Sequence, residues 1–139
     1  MIAVFLDSNV LLSSLIGSLQ SAPVLLMDWL AGSPSARLVT GQCCVQEVER
    51  NLARKLPQAR PLWEQFLLAS GIEILPCPHR PASGINAKDQ AVVAAAVTAA
   101  ATYFVTGDRQ LIAEMRAAKV PLPQVMTPRE MLDMLVQQG

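Results

Sequence analysis

An alternation constrains this chain more than any single residue. Short apolar runs at residues 2–6, 38–40, 72–75, 103–105 and 124–126 are separated by longer stretches with helical spacing. One helix is predicted from about Ser8, and others over 22–31, 42–56, 61–70, 86–101 and 108–118. Gly32-Ser33-Pro34 closes the second, Pro57 breaks the third, and Gly71 ends the fourth. A last helix starts at Thr127-Pro128-Arg129-Glu130, where Thr127 as N-cap, Pro128 as first helical residue and Glu130 three on form a capping box. The run PCPHRPASG reads as an irregular loop. Strands that alternate with helices of about ten to fifteen residues pair in parallel through helical crossovers. The expected fold is therefore α/β: one domain over residues 1–139, a three-layer α/β/α sandwich around a mostly parallel sheet of four to five strands.

Hydrophobic residues make up 52% of the 139 and charged residues 16%, which excludes disorder and leaves few charges to spend on solvation. The 11 basic and 11 acidic residues balance, so nucleic acid is not advertised by a global field, although a local basic patch beside an acidic centre gives the same sum. Cys43, Cys44 and Cys77 are odd in number and lack a Cys-x-x-Cys spacing; they read as reduced thiols, neither a disulfide framework nor a zinc site. No run approaches the roughly 18 to 20 apolar residues of a membrane span. The N-terminus lacks the basic start of a signal peptide. A cytoplasmic protein with no membrane partner is expected.

Within this pattern three carboxylates are conspicuous. Asp7 directly follows the first apolar run, Asp108 follows the run at 103–105, and Asp89 lies in the first turn of an alanine-rich helix. In an open parallel sheet all three positions face the carboxyl edge of the strands, where ligands gather. Each alone suits helix capping: Asp7 for the helix after it, Asp89 third after an Asn86 cap, Asp108 just after a Thr106 cap. Together they repel, and a cation relieves that repulsion. Oxygen-only ligands suit magnesium or manganese, and such a site supports attack of water on a phosphodiester.

The stretches DSNVLL, VQEVERNL, KDQAVVAAA and VTGDRQL, in this order from Asp7 to Asp108, resemble the motifs of the PIN-domain ribonucleases over nearly the whole chain. The resemblance implies that Asp7, Glu47, Asp89 and Asp108 are the acidic quartet that binds Mg2+ or Mn2+ and cleaves RNA. By the same resemblance Asn9 and Thr106 steady the carboxylates. Small stand-alone bacterial members, the VapC-type toxins, are commonly held inactive by an antitoxin protein and often pair as homodimers, so an antitoxin and a homodimer are the partners it implies.

The glutamate is the point of disagreement. A helical wheel from Gln42 gathers Cys44, Val45, Val48, Leu52 and Leu56 on one face, and Glu49 borders that face more closely than Glu47. Periodicity thus selects Glu49, and the resemblance selects Glu47. The family's frequent further acid, one turn after the last aspartate, is Ile112 here, which favours one metal over two. Among the basic residues, Arg109 and Lys88 adjoin proposed catalytic aspartates and Arg50 follows Glu47, so these are the candidate phosphate contacts. Arg54, Lys55 and Arg60 read as a solvated face. His79 has no companion ligands and receives no role. Leu62, Trp63 and Phe66 are candidates for an exposed interface on one helix. Two other readings compete. Haloacid-dehalogenase-like phosphatases also follow the first strand with an aspartate but need a second where this chain has Asn9, and a non-catalytic binding module would share the fold.

Overall fold

The computed structural model describes residues 2–80, 83–118 and 123–138. Its strands are β1 (Ile2–Leu6), β2 (Ala36–Gly41), β3 (Glu73–Leu75), β4 (Tyr103–Val105) and β5 (Gln124–Met126). Its helices are α1 (Ser8–Ile16), α2 (Ala22–Ala31), α3 (Gln42–Lys55), α4 (Arg60–Ser70), α5 (Gln90–Thr98), α6 (Arg109–Ala117) and α7 (Pro128–Gln138). The strands form one sheet in the order β3-β2-β1-β4-β5 with every pairing parallel.

This order follows from where the apolar runs can be covered. β1 is buried almost throughout and becomes the central strand; the chain builds outward to β2 and β3, then crosses to the other side of β1 for β4 and β5. Phe5 and Phe104 face each other in register and stack with centroids 5.3 Å apart, joining β1 to β4. The reversal of strand order beside β1 makes the carboxyl end of that strand the switch point where a crevice opens. Asp7 is the first residue past it.

Local signals predicted most boundaries. The capping box at α7 is formed on both arms: Glu130 N–H donates to Thr127 Oγ1 at 3.1 Å and Thr127 N–H to Glu130 Oε1 at 2.9 Å. Gly71 ends α4 in the left-handed region at φ 68°. Pro57 stops α3 and opens a short 3₁₀ turn, Pro57–Ala59.

Three expectations need correction. The helix expected over 86–101 begins as a 3₁₀ turn, Ala87–Asp89, capped by Asn86, and its α-helical part stops at Thr98. The stop is a Schellman motif without its usual glycine: Ala100 takes φ 53°, Ala101 N–H reaches Ala96 O at 3.1 Å and Ala100 N–H reaches Val97 O at 3.0 Å. Trp63 is wholly buried against Phe66, so of the three residues expected to be exposed on its helix only Leu62 is, at 59%. Cys43 and Cys77 are not free thiols but a disulfide, with Cα atoms 6.0 Å apart; Cys44 alone is free and buried. Sequence spacing hid the bond because its cause is register. Gly41 pairs with Leu75 at the ends of β2 and β3, and each cysteine lies two residues beyond its pairing partner. Among the described residues no helix is long and apolar enough to cross a membrane.

Candidate active site

The site begins with the one carboxylate that the sheet buries. Asp7 leaves β1 in extended geometry, its N–H bonded to Val105 O at 3.0 Å, and its side chain caps α1. Oδ1 accepts from Ser8 N–H at 2.8 Å and lies 3.8 Å from the Cys44 thiol. Oδ2 accepts from Thr106 Oγ1 at 2.8 Å and from Asn9 Nδ2 at 3.2 Å. A 6% exposed carboxylate is thus supplied with donors on both oxygens, which is what its burial demands.

The two small polar residues form a relay to Asp108. Thr106 Oγ1 accepts from Asp108 N–H at 3.1 Å and from Asn9 Nδ2 at 3.1 Å, while Asn9 Oδ1 accepts from Gly107 N–H at 2.7 Å. A Cβ at Gly107 would stand 3.3 Å from Asn9 Oδ1, a tight contact that would push on the Asn9 amide by a few tenths of an ångström. Asp108 is itself the N-cap of α6, its Oδ1 accepting from Gln110 and Leu111 N–H. The expected Thr106 cap is therefore replaced by a Thr106 that braces two aspartates. Among the described residues Asp108 Oδ2 accepts no hydrogen bond.

Asp89 closes the 3₁₀ turn, half-buried, and its carboxylate likewise accepts none among the described residues. Burial pushes its pKa up to about 6; Lys88 opposes the shift, and Asp108, Asp7 and Glu114 add to it. Burial also raises Asp7, against the lowering effect of its bonds to Thr106 and Ser8, with the charges of Glu47 and Asp108 adding to the rise. The charges of Glu47, Asp89 and Asp108 are thus each coupled to that of Asp7.

Glu47 and Glu49 part company here. Glu49 Oε2 accepts from the Trp63 indole at 3.3 Å, which turns it toward α4 and explains why it borders the apolar face. Glu47 is exposed, its side chain unbonded among the described residues, and its charge is felt at Asp7 and Cys44. Ile112 is buried in the core.

Two participants were not legible beforehand. Glu114 accepts from Asn86 N–H at 2.9 Å and from Gln110 Nε2 at 3.1 Å, so it holds the turn that carries Asp89 while charging its surroundings; the only sequence signal was its helical spacing from Gln110. The Cys44 thiol, pushed up to about 12 mainly by burial and then by Asp7, stays protonated and acts as a donor.

Among the described residues no three acidic, histidine or cysteine side chains form a ready-made cation cage. The carboxylates of Glu47 and Asp89 and Oδ2 of Asp108 accept no hydrogen bond among the described residues and are coupled by charge to Asp7; oxygen donors of this kind are the type that hard cations take. Arg50, Lys88 and Arg109 are exposed and make no ion pair among the described residues, whereas Arg37, Arg60 and Arg116 do. Arg50 lines a shallow open depression on α3 with Glu47, Asn51 and Arg54. His79 lies exposed in the loop after β3, outside this cluster.

Comparison with known proteins gives the family and the fold. Residues 3–110 match the PIN domain, and the chain belongs to that family, whose members are nucleases. Its fold is similar to VapBC2 from Rickettsia felis, solved bound to a DNA fragment from its promoter, with a TM-score of 0.65 at 14% identity over 91% of this chain and 98% of that one. VapBC-1 from nontypeable Haemophilus influenzae gives 0.59 at 14% over 92% and 99%. PAE2754 from Pyrobaculum aerophilum gives 0.60 at 15% over 99% and 97%. No curated protein matches the sequence.

Proposed function

We propose that this protein is a divalent-cation-dependent endoribonuclease of the cytoplasm, the toxin of a toxin–antitoxin pair, acting as a homodimer. The observation that carries the nuclease reading is Asp7, buried and braced by four donors, with Glu47, Asp89 and Asp108 in its field. Such convergence costs electrostatic energy that capping alone does not require. The VapBC likeness supports the toxin reading, with an antitoxin protein as partner.

In this reading Asp7, Asp89 and Asp108 hold Mg2+ or Mn2+, with Glu47 contributing from α3. When bound, the cation supplies Lewis-acid polarisation of a phosphodiester and a more acidic water. Asn9 and Thr106 fix the orientation of Asp7 and Asp108. Arg109, Lys88 and Arg50 contact RNA phosphates, positioning the backbone without reading sequence.

The test is cleavage of RNA by purified protein in manganese, with and without excess EDTA. Cleavage in manganese alone supports the reading; cleavage that persists in the chelator overturns its metal dependence. RNA binding without cleavage favours a binding module. A trapped aspartyl-phosphate on a phosphate ester favours the phosphatase, although Asn9 stands where that chemistry needs an acid and is already committed to Asp7, Thr106 and Gly107.

A further inference from the structure

The disulfide lies at the edge of the acidic site. Cys43 occupies the second helical position of α3, and Glu47 is one turn further along the same face. Cys77 is two residues past β3, at the start of the segment that leads to Asn86, the cap of the turn bearing Asp89. One covalent bond therefore joins the element that presents Glu47 to the segment that delivers Asp89.

Little else performs that task near the bond. Among the described residues, 76–80 are held by a single hydrogen bond, from Cys43 N–H to Cys77 Sγ at 3.3 Å. The packing around the bridge is close: a Cβ on Gly41 would stand 2.5 Å from Cys77 Sγ and 3.2 Å from Cys43 Sγ. Both cysteines are only half-buried, within reach of a small thiol, while Cys44 beside them is wholly buried and excluded from exchange.

We propose that Cys43–Cys77 is a thiol–disulfide exchange site at which a small dithiol reductant releases residues 76–80 from the first turn of α3 and loosens the placement of Glu47 relative to the other carboxylates. The thiolate of the reductant attacks Cys77 Sγ, forming a mixed disulfide and expelling Cys43 as a thiolate, which then takes a proton from water. The second thiol of the reductant resolves the mixed disulfide, leaving Cys77 as a thiol and the reductant as its own disulfide. A small-molecule disulfide such as oxidised glutathione reverses both steps. The oxidised form is the aligned one, so oxidation raises cleavage. The effect on the segment stands on the bond alone; the effect on cleavage rests on the nuclease reading.

Hydrogen exchange on the folded protein, oxidised and after dithiothreitol, separates the two. Reduction should expose two reactive thiols, speed amide exchange at 77–80 and 43–47, and lower RNA cleavage in manganese roughly tenfold, the scale of losing groups that orient metal ligands. Reoxidation should restore all three. The double variant Cys43→Ser/Cys77→Ser should behave as reduced protein and ignore dithiothreitol. Unchanged exchange at 77–80 and 43–47 after complete reduction overturns the proposal, and so does a double variant that cleaves as fast as oxidised wild type. If neither form cleaves RNA, the nuclease reading fails, and faster exchange on reduction still upholds the site.

Discussion

Asp7 and Asp89 lie on one rim but differ in their surroundings, and substitution to asparagine should separate them. Asparagine caps a helix about as well as aspartate. At position 7, however, both oxygens face donors, and the Thr106 hydroxyl already accepts from Asp108 and Asn9, so an amide nitrogen finds no acceptor. Asp7→Asn should cost the cation-free protein about 1–2 kcal/mol, the scale of an unsatisfied buried donor. Asp89 accepts no hydrogen bond among the described residues, so Asp89→Asn only removes a poorly solvated charge and should raise the cation-free melting temperature at pH 7.5. Both variants should abolish the stabilisation that manganese gives wild type. Wild type carries the matching pH dependence. Because folding raises the Asp89 pKa from 3.8 to about 6, its protonated form favours the native state; that contribution is full below about pH 4 and is lost as pH rises through 6. Melts without cation should fall across this window in wild type and much less in Asp89→Asn, and manganese should shift the melt more at pH 7.5 than at pH 5. The glutamates give a third test. Glu47→Gln should lower cleavage by orders of magnitude, while Glu49→Gln, which keeps an acceptor for Trp63, should stay near wild type.

Among the elements, the end of α5 is the clearest place to gain stability. Ala100 takes a left-handed conformation that costs an L-residue roughly 1–2 kcal/mol and glycine almost nothing. After the larger unfolded-state entropy of glycine is subtracted, Ala100→Gly should stabilise the protein by about 0.5–1 kcal/mol, read as a higher denaturant midpoint at unchanged slope. No glycine marks that stop, and this is why the sequence reading ran the helix on to residue 101. Where an element ends at a residue chosen for its backbone, such as Gly71, Pro57 or the Thr127 box, its boundary was legible. The parallel sheet was legible for a similar reason, since its strands are apolar on both faces. Periodicity could not point to Glu47, which is exposed on α3 with its charge acting at Asp7, because the wheel reports only the core side of a helix. It pointed instead to Glu49, whose carboxylate accepts from the Trp63 indole at the border of that side. The placement of Asp7, Asp89 and Asp108 on one edge came from topology and needed no side-chain detail, whereas the contribution of Glu114 depends on how α6 meets the turn before α5, which only tertiary packing decides.

For the whole molecule, the Cys43–Cys77 bond changes what counts as a single chain. It closes a ring with a sequence separation of 34 that contains nearly all of α3, then α4 and β3, and leaves Asp7, Asp89 and Asp108 outside on two open arms. A ring of that size stabilises the folded state by about 3–4 kcal/mol through the lost freedom of the unfolded chain, so dithiothreitol should lower the melting temperature by several degrees. A ring also survives being cut once. Arg54 and Lys55 are exposed inside it, and a tryptic nick there should leave the protein running as one species without reductant and as two fragments with it. A peptide bond in α3 can thus be lost while the strand that ends at Asp7 and the turn that carries Asp89 stay tied to the same molecule.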